Sequence, residues 1–142
     1  MSGRVDRQRG WAQTPFLIAA QTGNVEMMRA LIAAGADAKA QTTDGTGAVL
    51  LATNSRSLEA VKFVVELGLD VNLYPRNRPS ALHAAVKTGE NEIVEYLAAH
   101  GADFAAKDDY GRTPLEEAEF EAPAPTIELM KKLTAARAAA GK

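Results

Sequence analysis

Gly35, Gly68 and Gly101 each open a Gly-x-Asp triplet, and they stand thirty-three residues apart along the chain. No other feature restricts the fold so much. A sequence that repeats at this period folds as an array and not around one central core, because a unit so short cannot bury its own apolar residues and must lean on the next copy. A second landmark holds the same register. Thr14-Pro15-Phe16-Leu17-Ile18-Ala19-Ala20 aligns with the stretch from Gly47 to Thr53, with Ser80-Ala81-Leu82-His83-Ala84-Ala85-Val86 and with Thr113-Pro114-Leu115-Glu116-Glu117-Ala118. Glu26 falls onto Glu59 and Glu92, and Leu31 onto Val64 and Leu97.

One unit reads as two short helices and a turn. Thr14 offers its side-chain oxygen to the unpaired amides of a helix start, and Pro15 suits the first helical position, where its missing N–H is not needed. Thr113 with Glu116 writes a capping box. Helices are therefore expected to begin at about 14, 80 and 113. Gly23 and Gly89 suit the left-handed residue that ends a helix, and apolar residues then recur at helical spacing: Val25, Met28, Leu31, Ile32 in one unit, Leu58, Val61, Val64, Val65 in the next, Ile93, Val94, Leu97 in the third. Each Gly-x-Asp closes the second helix and turns the chain outward. Small residues such as Ala20, Ala52 and Ala85 allow neighbouring helices to approach closely.

These residues resemble the ankyrin repeat, with its Thr-Pro-Leu-His, Ala-Ala and Gly-Ala-Asp landmarks every thirty-three residues. The resemblance spans roughly residues 9 to 139 and implies an all-α ankyrin-repeat solenoid of stacked helix-turn-helix units with projecting β-turns. We expect a tail over 1–9 and one domain over 10–142, with units at about 10–42, 43–75, 76–108 and 109–142. The alanine content and simple helices look like those of bacterial ankyrin proteins. The second unit departs from the pattern: Gly47-Ala48 replaces Thr-Pro and Arg56 stands at the glycine position, so this unit is expected to be the soft one. The turn with Pro75 and Pro79 lacks the family's Asp and Gly, and we expect it to take its own rigid conformation.

Composition narrows the function. The 142 residues carry a formal net charge of −2 and no cysteine, which removes disulfides and thiolate metal sites. No run of about eighteen uncharged apolar residues exists to span a membrane, and the first residues lack the apolar core of a secretion signal. The cytoplasm is the expected compartment. A sequence pI of about 5.7 without a basic stripe disfavours nucleic acid.

Candidate chemistry is sparse. His83 occupies the histidine of the repeat motif, to which the resemblance gives a structural hydrogen-bonding role between units, and His100 sits at a helix C-terminus, favoured by the dipole. Neither has a second histidine at zinc-ligand spacing. Glu116, Glu117, Glu119 and Glu121 read as the solvated face of a C-terminal cap and not as a cation site, while Asp37, Asp70 and Asp103 recur because the turn needs them. Asp44-Gly45-Thr46-Gly47 lacks the lysine of a phosphate loop, and no serine has an assigned base. No enzyme, metal or cofactor is therefore expected.

What remains is the surface made by stacking, a row of turns beside a concave face of first helices. The resemblance implies that a partner protein binds there. Carried over by repeat offset, the candidate contact residues are Trp11, Gln13, Asp44, Thr46, Tyr74, Arg76, Asn77, Arg78, Lys87, Lys107, Asp109, Tyr110 and Arg112, with Gln21, Thr22, Asn54, Ser55, Thr88, Phe120 and Glu121 at the ends of first helices. Trp, Tyr and Arg are the types that dominate interface energetics. Arg76, Arg78, Lys87, Lys107 and Arg112 gather with few carboxylates beside them, so an acidic or phosphorylated partner segment is expected. Truncating Tyr110 or Arg112 is expected to weaken binding and spare stability.

The two ends differ. The last unit carries glutamates where the first has Leu17 and Ile18, as a terminal cap requires. The first keeps the apolar Phe16-Leu17-Ile18 of an internal unit. Two expectations follow: the chain is the C-terminal capping fragment of a longer multidomain protein with a structural or regulatory role, or it stands alone, either as a monomer or self-associating weakly through its N-terminal end.

Overall fold

The computed structural model describes residues 14–42, 45–74 and 78–140. Among these residues eight helices form and no strand: α1 (Pro15–Thr22), α2 (Val25–Ala33), α3 (Ala48–Asn54), α4 (Leu58–Glu66), α5 (Ala81–Thr88), α6 (Asn91–Ala99), α7 (Pro114–Glu121) and α8 (Ala124–Ala140). They pair as α1/α2, α3/α4, α5/α6 and α7/α8, here termed units 1 to 4.

Local chemistry sets the boundaries. Thr14, Ser80 and Thr113 lie in extended backbone, and their side-chain oxygens accept the amides of Leu17, His83 and Glu116 at 3.2, 3.3 and 3.2 Å. Thr113 and Glu116 complete the expected capping box, satisfying two otherwise unpaired donors. Gly23 and Gly89 end α1 and α5 at φ of 73° and 75°. Asp37, Asp70 and Asp103 accept the amides of Lys39, Asn72 and Ala105 at 2.8–2.9 Å, the turn-forming role expected of them. The last helix begins at Ala124, two residues before the expected start near Thr126. Pro125 falls within the first turn, where no amide is required of it.

Packing joins the units. The first helices touch in the order α1, α3, α5, α7, and the second helices in the order α2, α4, α6, α8. Ala20, Ala52 and Ala85 are fully buried between layers, and apolar side chains from Phe16 to Met130 form a continuous core. Hydrogen bonds also cross between units: the Asn72 side chain donates from Nδ2 to the Gly101 carbonyl at 3.0 Å and accepts the Asp103 amide at Oδ1 at 2.7 Å. No helix among the described residues is long and apolar enough to cross a membrane.

Two places depart from expectation. Of the apolar Phe16-Leu17-Ile18 stretch only Ile18 is exposed, at 50%, while Phe16 and Leu17 lie in the core. In unit 2, α3 has no side-chain cap at Gly47, as the loss of Thr-Pro implies, while Ala48 through Thr53 are all buried. Arg56 takes the left-handed conformation of the glycine it replaces, φ 67°. Its guanidinium donates to Glu90 at 2.9 Å and to the Thr88 carbonyl at 3.2 Å. Left-handed backbone costs a non-glycine residue about 1–2 kcal/mol, whereas an ion pair this exposed contributes about 0–1 kcal/mol. Arg56→Gly is therefore expected to raise stability by about 0.5–1 kcal/mol in urea denaturation. A clear loss of stability would show that the cross-unit bonds of Arg56 outweigh its backbone strain.

Candidate functional site

The concave side holds a groove of about 860 Å³ running across units 2, 3 and 4. Its floor comes from one edge of the first helices. Leu51, Ala84 and Glu117 hold the same position in α3, α5 and α7, joined by Leu50 one residue earlier in unit 2. Ile18 occupies that position in unit 1. Three or four residues on, where a helix returns to the same face, Asn54, Thr88 and Glu121 continue the wall. Turn residues Thr46, Arg78, Asp109 and Tyr110 form the opposite rim.

Of the thirteen candidate contact residues, Trp11, Gln13, Asp44, Arg76 and Asn77 lie outside the described residues. The structure brings Thr46, Arg78, Lys87, Asp109 and Tyr110 together on the groove. Tyr74 packs against the core instead, and Lys107 is exposed but does not line the groove. Arg112 stands behind the rim: its guanidinium is 3.0 Å from Glu117, 3.9 Å from the centre of the Phe120 ring and 4.9 Å from that of Tyr110. Removing Arg112 would leave the buried Glu117 carboxylate without its cation, so the side chain is structural before it is a contact. Tyr110, 74% exposed, keeps its ring available beside it.

The charge of the site corrects the sequence reading. Asp108, Asp109, Glu117 and Glu121 all line the groove, so the cations do not lack carboxylates nearby. Glu117 and Glu121 are one helical turn apart and both line the groove, Glu117 buried and Glu121 exposed. Glu117 is buried, and burial pushes its carboxyl above the usual range, with Glu121 adding to the effect and Arg112 opposing it. Burial alone would also raise Asp108. Hydrogen bonds from the Arg112 and Tyr110 amides, at 3.0 and 2.9 Å, together with the Arg112 charge, outweigh burial and hold it low.

His83 ties this site to the fold. Nδ1 accepts the Ser80 amide at 3.2 Å and lies 2.8 Å from the Ser80 hydroxyl. Nε2 is 2.7 Å from the Arg112 carbonyl, which can only accept, so the ring is neutral with its proton on Nε2. The histidine thus links α5 to the turn before α7, the role between units that the repeat pattern implies. His100 is exposed, with Nδ1 2.9 Å from the Tyr96 carbonyl of its own helix. No cluster of three or more metal-ligating side chains occurs among the described residues.

Leu50, Leu51, Ala84 and Glu117 were not singled out from sequence as contact residues. A usable signal existed: each lies one helical turn before a helix-end position that was singled out.

Comparison with known proteins agrees with this architecture. Models of ankyrin repeats match residues 2–75 (three copies) and 64–118 (many copies). The chain is 34% identical over 113 residues to the putative E3 ubiquitin-protein ligase XBAT35 of Arabidopsis thaliana, covering 78% of this chain and 24% of that protein. It is 33% identical over 125 residues to alpha-latroinsectotoxin-Lt1a of Latrodectus tredecimguttatus, covering 87% and 9%. It is 37% identical over 119 residues to the B-cell lymphoma 3 protein homolog of Mus musculus, covering 80% and 27%. The chain thus matches only about a quarter or less of the length of these relatives. Stacked helix pairs, glycine-ended helices, a histidine clamp between units and matching repeat models across most of the sequence make this chain a member of the ankyrin repeat family.

Proposed function

We propose that the chain is a non-catalytic recognition module that docks a segment of a partner protein in its concave groove and against the turn tips. The observation that carries this reading is the groove itself, with an apolar floor of Leu50, Leu51 and Ala84, charged walls and an exposed aromatic at the rim. Such a surface combines the apolar contact and the oriented polar groups from which interface affinity is built. Trp11, Gln13, Asp44, Arg76 and Asn77, outside the described residues, belong to the proposed contact set on the repeat pattern alone. An acidic or phosphorylated side chain of the partner is taken by Arg78 and Lys87. The three relatives are longer proteins of which the matched stretch is a small part, consistent with a module that recognises and leaves chemistry to others.

Ala84→Arg tests the reading, because Ala84 is half-buried in the middle of the floor and the longer side chain has the groove to enter. Peptides selected from a random displayed library against the unaltered chain should bind this variant about tenfold or more weakly, with the melting temperature nearly unchanged. Glu95→Arg on the outer helices should leave binding intact. Equal binding to both variants would place the contact surface elsewhere.

A second reading concerns the first unit. Met27 is 48% exposed and Leu31 partly so, whereas Ala60 and Ile93, and Val64 and Leu97, at the same positions in units 2 and 3, are buried. This face suits a preceding layer in a longer array, or a second copy of the chain. A sedimentation profile that stays monomeric at high concentration would remove the second copy.

A further inference from the structure

The charges on the groove are sorted by unit. Unit 2 contributes neutral and apolar groups, among them Leu50, Leu51 and Asn54. Next along the stack, Arg78 and Lys87 bring positive charge. Beyond them Asp109 and Glu121 bring negative charge from exposed positions. The basic residues that could neutralise this last wall are placed elsewhere, since Arg112 is engaged with Glu117 and Lys107 is off the groove. Among the described residues, neither Arg78 nor Lys87 forms an ion pair; the two pairs that occur are Arg56–Glu90 and Arg112–Glu117.

We infer that the groove selects a partner segment of opposite charge order: an apolar residue over unit 2, an acidic or phosphorylated residue over unit 3, and a lysine or arginine over unit 4 beside Tyr110. The inference rests on the groove being the binding surface, as proposed above. Electrostatic matching of this kind fixes register and rejects wrong partners, because like charges placed together are costly. The aromatic rim adds to it, since the face of an exposed tyrosine attracts a cation. A uniformly acidic segment meets Asp109 and Glu121 and is rejected, as is a uniformly basic one at Arg78 and Lys87. Packed helices lie about 8–10 Å apart, and an extended chain rises about 3.3 Å per residue. The acidic and basic residues of the partner therefore stand about three positions apart.

Selection from a random phage-displayed peptide library against the intact chain tests the inference. The unaltered groove should enrich peptides with an acidic and a basic residue about two to four positions apart. Selection against Asp109→Lys/Glu121→Lys should replace the basic preference by an acidic one and keep the other. Arg78→Glu/Lys87→Glu should do the reverse. Peptides selected on the unaltered chain should bind either double variant about tenfold or more weakly, while each variant keeps the circular dichroism and melting temperature of a folded array. Enriched peptides that respond to Ala84→Arg yet carry no paired charges, or keep the same charges through both reversals, overturn the charge order alone. Peptides indifferent to Ala84→Arg overturn the groove reading and this inference with it.

Discussion

Replacing His83 by alanine is expected to lower the unfolding free energy by about 2–4 kcal/mol, a large share of what a small domain has. The imidazole is in the core. Its loss removes the bonds from Ser80 to Nδ1 and from Nε2 to the Arg112 carbonyl, each worth about 1 kcal/mol net, and leaves a space that the surrounding helices only partly fill. The damage should reach beyond α5, since the same carbonyl closes the turn from Asp108 to Arg112. Amides of that turn should exchange faster in the variant than those of α2. A variant as stable as the parent would mean that stacking, not the histidine, holds units 3 and 4 together.

The histidine also predicts a pH dependence. Burial lowers its pKa from the ordinary 6.5, against the opposing pull of the Arg112 carbonyl and the charges of Asp108 and Asp109. Above about pH 6.5 the ring is neutral folded and unfolded, and its contribution is complete. As pH falls from there to the lower folded value, only the unfolded chain gains a proton, so stability declines. This limb of the urea-midpoint curve, descending as pH falls below about 7, should be missing in the alanine variant.

Gly89→Ala is expected to be comparably damaging, at about 2–4 kcal/mol, for a different reason. The residue is left-handed at φ 75°, and a Cβ there would lie 2.9 Å from Cγ of Pro123 and 3.3 Å from its Cδ. Backbone strain accounts for about 1–2 kcal/mol, and overpacking against a rigid proline ring for about 1–3 more. Pro123 leads into α8, whose Thr126 hydroxyl donates to the Asn91 side chain at 2.6 Å. The variant should therefore loosen the final helix first, seen as faster exchange over 126–140 and an earlier thermal transition there. Gly35→Ala is the control, since Gly35 has a φ of 98° but nothing within 4 Å of the added Cβ. Equal losses in the two variants would show that the contact with Pro123 is without consequence.

Much of the fold was legible because its signals are local. Thr14, Ser80 and Thr113 start their helices because a cap needs only an oxygen three residues before the amide that it satisfies. Gly23 and Gly89 end theirs because the left-handed residue has no Cβ to clash. The candidate site was legible in part. The turn residues Thr46, Arg78, Asp109 and Tyr110 and the helix-end Lys87 reach the groove because repeat offset fixes which positions share a face. Tyr74 packs partly against the core instead, and Arg112 reaches Glu117 and Phe120 on the helix that follows, contacts that no repeat offset encodes.

From the sequence alone came the array: a thirty-three-residue period, a helix pair and a turn in each copy, and the stacking that such short amphipathic pieces require. The tertiary structure alone decided how the exposed edge is used, with Glu117 turned inward, Arg112 held by it, Arg56 accepting the glycine conformation, and the free charges divided between units 3 and 4. The reason is one of range. Caps, breakers and helical spacing act within a few residues, whereas the partner that a charged side chain finds depends on which helix packs beside it and which other groups compete for the same place.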